Sequence, residues 1–153
     1  MLIKNDKLGK LLLSVDGSEF SEGAVREAIA LAKTYSGNLT GVYVLETNPE
    51  YETIAPGLVE KSAIEAKGFM DALKLRASAE GVQCETVVRR DDQPFSAITD
   101  EAQKRQADVI IMGRRGRTGI SRLLMGSVTA KVIGHAPCDV LVVPRAAKIK
   151  LRN

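Results

Sequence analysis

Apolar residues gather in five short runs, 10–15, 39–46, 82–88, 108–112 and 139–143. Several are continuously apolar, the pattern of strands buried on both faces. Between them the spacing changes to a helical one. Residues 18–36 open with Ser18, a residue type that caps helices, and stop before Gly37. Val59, Ala63, Ala66, Met70, Leu73 and Ala77 recur at alternating intervals of four and three, which draws one apolar face on a long helix ended by Gly81. Pro94 suits the first turn of a helix reaching Arg105. Met125, Val128, Thr129, Val132 and Ile133 share a stripe on a last helix beginning near Gly126. Residues 48–57, with Pro49 and Pro56, read as a long loop, either a lid or merely a disordered loop.

The order β-α-β-α-β-α-β-α-β predicts an α/β fold with a parallel sheet and right-handed crossovers. No break divides the chain, so residues 1–153 are expected to form a single domain, with a core at about 8–144 and a basic tail at 145–153. In such a sheet ligands sit beyond the carboxyl ends of the strands, where the strand order reverses. The first and fourth strands are the expected neighbours there, which sets Asp16 opposite Gly113.

Composition narrows the function. Aromatic residues are 4% of the chain and Trp is absent, which leaves little for a base-stacking nucleic-acid platform. Cys84 and Cys138 stand far apart and read as free, buried thiols of a reducing compartment. With His135 as the one histidine, a His-rich metal site is excluded. His135 itself reads as a cation near a helix C-terminus, too far along the helix to meet a phosphate. The first ten residues hold four charges and no long apolar segment, and no apolar run is long enough to span a bilayer. A soluble, cytoplasmic protein is expected.

The net charge of +3 conceals an uneven distribution. Residues 1–112 carry 13 Lys/Arg against 18 Asp/Glu. Residues 113–138 carry Arg114, Arg115, Arg117, Arg122 and Lys131 and no acid, and the tail from Arg145 adds four more cations. The basic segment holds the strongest motif. Gly113 follows a strand, Gly116 comes next, and Gly126 and Ser127 open a helix. Glycines admit close approach of backbone N–H groups, and a helix N-terminus supplies unpaired donors and a positive dipole end. Ser127 and Thr129 add hydroxyls, and Arg115 is the arginine best set to reach an anion. These parts describe a cradle for a nucleotide's phosphates. They match neither the P-loop nor the dinucleotide fingerprint. Asp16 suits either a ligand's sugar or a cap for the following helix. It is the only carboxylate expected in the crevice.

These residues resemble the universal stress protein family in its ATP-binding branch, marked by G-x2-G-x9-G-[ST], here Gly113, Gly116, Gly126 and Ser127. The likeness covers about residues 8–144 and rests on LLLSVDGS, ADVIIMGRRGRTG and LMGSVTAKVIGHAPCDVLVVP in that order. It implies a Rossmann-like three-layer sandwich on five parallel strands in the order 3-2-1-4-5. It implies ATP, with Val15 and Asp16 at ribose and adenine and Val44 offering backbone groups to the adenine. Met112 and Gly113 would flank ribose and phosphates, and Arg115, Gly116, Gly126, Ser127, Val128 and Thr129 would surround the phosphates. It also implies Mg²⁺ or Mn²⁺ held by phosphates and water, and a homodimer. The last strand, Asp139–Val143, is the expected seam, since an apolar edge needs a partner. The chain departs from the family pattern at Asp139, Asp91 and Asp92, all expected to lie outside the pocket. The function implied is a nucleotide-responsive regulatory dimer in stress. A slow ATPase or phosphotransferase, and an interaction module indifferent to nucleotide, are the alternatives.

Overall fold

In the computed structural model, which describes residues 8–115 and 125–145, five strands form one all-parallel sheet in the order β3-β2-β1-β4-β5. They are β1 (Lys10–Val15), β2 (Asn38–Glu46), β3 (Cys84–Asp91), β4 (Val109–Gly113) and β5 (Asp139–Val143). The helices are α1 (Glu22–Tyr35), α2 (Pro49–Ile54), α3 (Pro56–Ala79), α4 (Pro94–Arg105) and α5 (Ser127–His135). Tail residues 146–153 lie outside the described residues.

Strand alternation divides the core between two faces. Leu11, Leu13 and Val15 of β1 join Ala28 of α1 and Met70 of α3 on one face. Leu12 packs with Ile98 of α4 and Val132 of α5 on the other. Central β4 is buried along its whole length, as its continuous apolar run required. The face drawn on α3 holds too: Val59, Ala66, Met70, Leu73 and Ala77 are all buried.

Four local readings need correction. Residues 49–54 are helical rather than loop. Asn48 caps α2 by accepting from the Tyr51 N–H at 2.8 Å, and both prolines sit in first helical turns, where a missing N–H costs nothing. Helix α1 begins at Glu22, because Glu19–Ser21 form a 3₁₀ turn. Ser18 does not cap it; the Ser18 hydroxyl donates to Asp16 Oδ1 at 2.6 Å. Strand β3 continues three residues past Val88, since an edge strand accepts the polar Arg89 and Arg90. On α5 only Thr129 and Val132 are buried and Ile133 is exposed, while Met125, also exposed, lies before the helix.

Candidate functional site

A cavity of about 600 Å³ opens at the carboxyl ends of the strands, where β1 and β4 lie side by side. That volume falls within the roughly 300–1,000 Å³ of small-molecule sites. Its wall from β1 and β2 includes Val15, Asp16 and Val44. Its wall from β4 and the following segment includes Met112, Gly113 and Arg115. The start of α5 adds Gly126, Ser127, Val128 and Thr129. Thus every described candidate residue borders one space; Gly116, Arg117 and Arg122 lie outside the described residues.

The geometry revises several roles. Gly113 is required by its own chain: a Cβ there would stand 2.9 Å from the Phe20 carbonyl oxygen. The glycine therefore lets the β1–α1 turn close against the end of β4. The Thr129 hydroxyl, buried, donates to the Gly113 carbonyl at 2.9 Å. This bond ties α5 to β4, and the first turn of α5, whose backbone N–H groups have no intrahelical partner, borders the cavity. Gly126 N–H donates to the Arg114 carbonyl at 2.8 Å, and Arg114 N–H donates to Val143 at 3.0 Å. The helix N-terminus is thereby fixed to both β4 and β5.

Asp16 Oδ1 accepts from the Ser18 N–H at 2.9 Å as well as from its hydroxyl, so this carboxylate shapes the turn before α1. It is not the only acid in the crevice. Glu46 and Asp92 line the same cavity, and Asp92 is thus inside the pocket rather than outside it. The longer β3 carries Asp92, Gln93 and Pro94 to the rim. Thr47, Phe95 and Lys131 also line the space and were not anticipated. Lys131 stands four residues after Ser127, so helical spacing alone could have found it. Thr47 Oγ1 is buried without a hydrogen-bond partner among the described residues.

The cavity is electrically divided. Arg115 and Lys131 stand on the β4–α5 side, whereas Glu46 and Asp92 stand on the β2–β3 side. An anion is favoured at the first side, joined by the α5 dipole. Among the described residues no group of three or more His, Cys, Asp or Glu could hold a metal. Cys84 and Cys138 are half-buried, and burial first, with nearby acids, raises both thiols above their ordinary range.

Buried charge anchors α4 to β3. Glu101, only 3% exposed, accepts from Arg89 Nη1 of β3 at 2.8 Å and from Arg105 Nε at 2.9 Å. Burial would raise its carboxyl, but these two arginines outweigh that and hold it below the usual range.

A parallel sheet of this order, with its cavity where the order reverses, defines a doubly wound α/β protein. The sequence matches the universal stress protein family over residues 7–144, and the chain belongs to that family. It is 34% identical over 143 residues to a universal stress protein of Methanocaldococcus jannaschii, covering 91% of this chain and 84% of that one. The fold is similar to that of universal stress protein UspA from Lactobacillus plantarum, with TM-score 0.81, 28% identity and coverage of 91% and 99%. Two more distant solved relatives carry nucleotides. One is in complex with cAMP (TM-score 0.67, 24% identity, coverage 92% and 100%). The other, from Archaeoglobus fulgidus, is in complex with dAMP (TM-score 0.66, 22% identity, coverage 88% and 97%). No helix among the described residues is long and apolar enough to cross a membrane.

Proposed function

We propose that this chain binds ATP in the cavity at the carboxyl ends of its strands and acts as a nucleotide-responsive regulatory homodimer in the cytoplasmic stress response. One observation carries the reading: the first turn of α5 opens into a cavity whose two described cations, Arg115 and Lys131, stand on the same side. A polyphosphate suits that side. The base and sugar suit Val15, Asp16, Val44 and Met112, where apolar walls meet a carboxylate. Two distant relatives that carry adenine nucleotides support the ligand class.

The residues fit such a ligand. Ser127 offers a hydroxyl, Gly126 and Val128 belong to the first-turn cradle, and Thr129 contributes its backbone N–H rather than its hydroxyl. The buried Thr47 hydroxyl offers one more polar contact. Mg²⁺ or Mn²⁺ would be held by phosphates and water. The dimer seam is β5, an edge strand of half-exposed valines and leucine.

Glu46 and Asp92 give a slow ATPase more carboxylates than the sequence suggested. They stand across β1 from the α5 N-terminus, so the regulatory reading stays ahead.

Nucleotide identification on the purified, heat-denatured protein, followed by calorimetric titration, is the test. ATP is expected in the extract, or binding at or below millimolar concentration. Gly126→Asp, which sets a carboxylate in the phosphate cradle, is expected to abolish it. A well-folded sample that neither carries nor binds ATP overturns the reading. Light scattering at micromolar concentration tests the dimer, and a monomer overturns that part.

A further inference from the structure

We infer that Phe20 is a positioning residue whose ring holds the Arg115 guanidinium ready for the phosphate charge of the ligand. This rests on the nucleotide reading above. Phe20 is half-buried and belongs to neither hydrophobic cluster, so core packing does not account for an aromatic residue in this polar turn. Its ring instead carries Arg115 Cζ at 5.5 Å from the centroid. Lys131, the other described cation of the cavity, is treated alike, with Nζ 5.4 Å from the centroid of Phe95. An aromatic face attracts such a cation and limits its rotamers. Less freedom is then lost when the cation meets an anion.

Charge balance separates the two arginines that share the ring. Arg145 Cζ lies 5.2 Å from the Phe20 centroid and is paired with Glu19 at 3.0 Å. Arg115 has no ion pair with a described residue and lines the cavity. One guanidinium is thus neutralised within the fold, and the other keeps its charge for a ligand. The platform is firmly set. The Phe20 carbonyl sits where any Cβ on Gly113 would intrude, and Ser21 donates to the Ser18 carbonyl through its N–H at 3.2 Å and its hydroxyl at 2.9 Å.

The experiment is calorimetric titration of ATP and adenosine into wild type, Phe20→Leu, Phe20→Tyr, Arg115→Gln and the Phe20→Leu/Arg115→Gln double variant. Phe20→Leu is expected to weaken ATP about 3- to 10-fold while adenosine stays within about twofold. Phe20→Tyr, which keeps the ring, restores ATP affinity. The double variant is no weaker than Arg115→Gln alone. Phe20→Met, also without a ring, replaces the leucine variant if that one does not fold. Equal losses for ATP and adenosine would show a merely structural role and overturn the inference, as would an unchanged ATP affinity or additive losses. A wild type that binds neither ligand removes the nucleotide reading and this inference together. A wild type that binds ATP, with an unaffected Phe20→Leu, removes this inference alone.

Discussion

The Thr129 hydroxyl donates to the Gly113 carbonyl at 2.9 Å, joining the first turn of α5 to the end of β4 in a buried contact. Removing the donor strands a buried carbonyl. Thr129→Val is therefore expected to cost about 1–3 kcal/mol. For a chain of this size that lowers Tm by roughly 2–4 °C per kcal/mol. Thr129→Ser keeps the hydroxyl and should recover most of the loss. Thermal unfolding of the three proteins checks the order.

Gly113→Ala places a methyl 2.9 Å from the Phe20 carbonyl oxygen. Backbone must move, since no flexible side chain can yield, and the expected cost is about 1–3 kcal/mol. Denaturant unfolding should show it without any ligand present. A variant as stable as wild type would contradict the tight closure of the β1–α1 turn.

Glu101 makes stability depend on acid. Its carboxyl titrates lower in the folded chain than in the unfolded one. Its contribution is therefore complete above the unfolded value of about 4.3 and disappears as pH falls through the folded value. Glu101→Gln should lower Tm at neutral pH, and the gap from wild type should close in acid below the unfolded value. Scanning calorimetry of both proteins across that window measures it. A gap that does not change with pH would assign the effect to shape rather than charge.

Thr47→Val removes a buried hydroxyl that has no partner among the described residues. Losing such a group costs little, so Tm should stay level or rise. If the hydroxyl meets the ligand, ATP affinity falls several-fold at the same time. Paired thermal and calorimetric measurements separate the two effects.

Both thiols should react slowly. Their raised titration ranges leave less thiolate at mildly alkaline pH than a free cysteine has. Iodoacetamide labelling at pH 8 should be slower in the folded protein than in denaturant. Equal rates would contradict their partial burial.

Much of the cavity was legible because its residues are local to strand ends and one helix start. Gly126 and Ser127 announce an N-terminus, and Asp16 directly follows a buried run. Phe20 gave no signal, since nothing in a polar turn says which cation will lie on its ring. Asp92 is hidden in the sequence because the apolar residues of β3 stop at Val88, yet Arg89 is retained in the strand by Asp100 and Glu101 of α4. That ion-pair set lies across elements and has no sequence period. In residues 48–57 two prolines suggest a loop, while Asn48 followed by Pro49 is a helix start in the same letters.

The crevice walls have a kinetic consequence. Leu11 of β1 pairs with Val109 of β4, about two thirds of the chain away, while β1–β2 and β2–β3 pair through much shorter crossovers. Long-range pairings of this kind close late, because loop entropy opposes them. Residues 10–91 hold the whole β3-β2-β1 half, whereas the cavity takes its β4 wall only from residues beyond Arg105. Whatever ligand fills it thus recognises the finished chain and ignores the half-folded one, and by mass action favours completion of the last folding step.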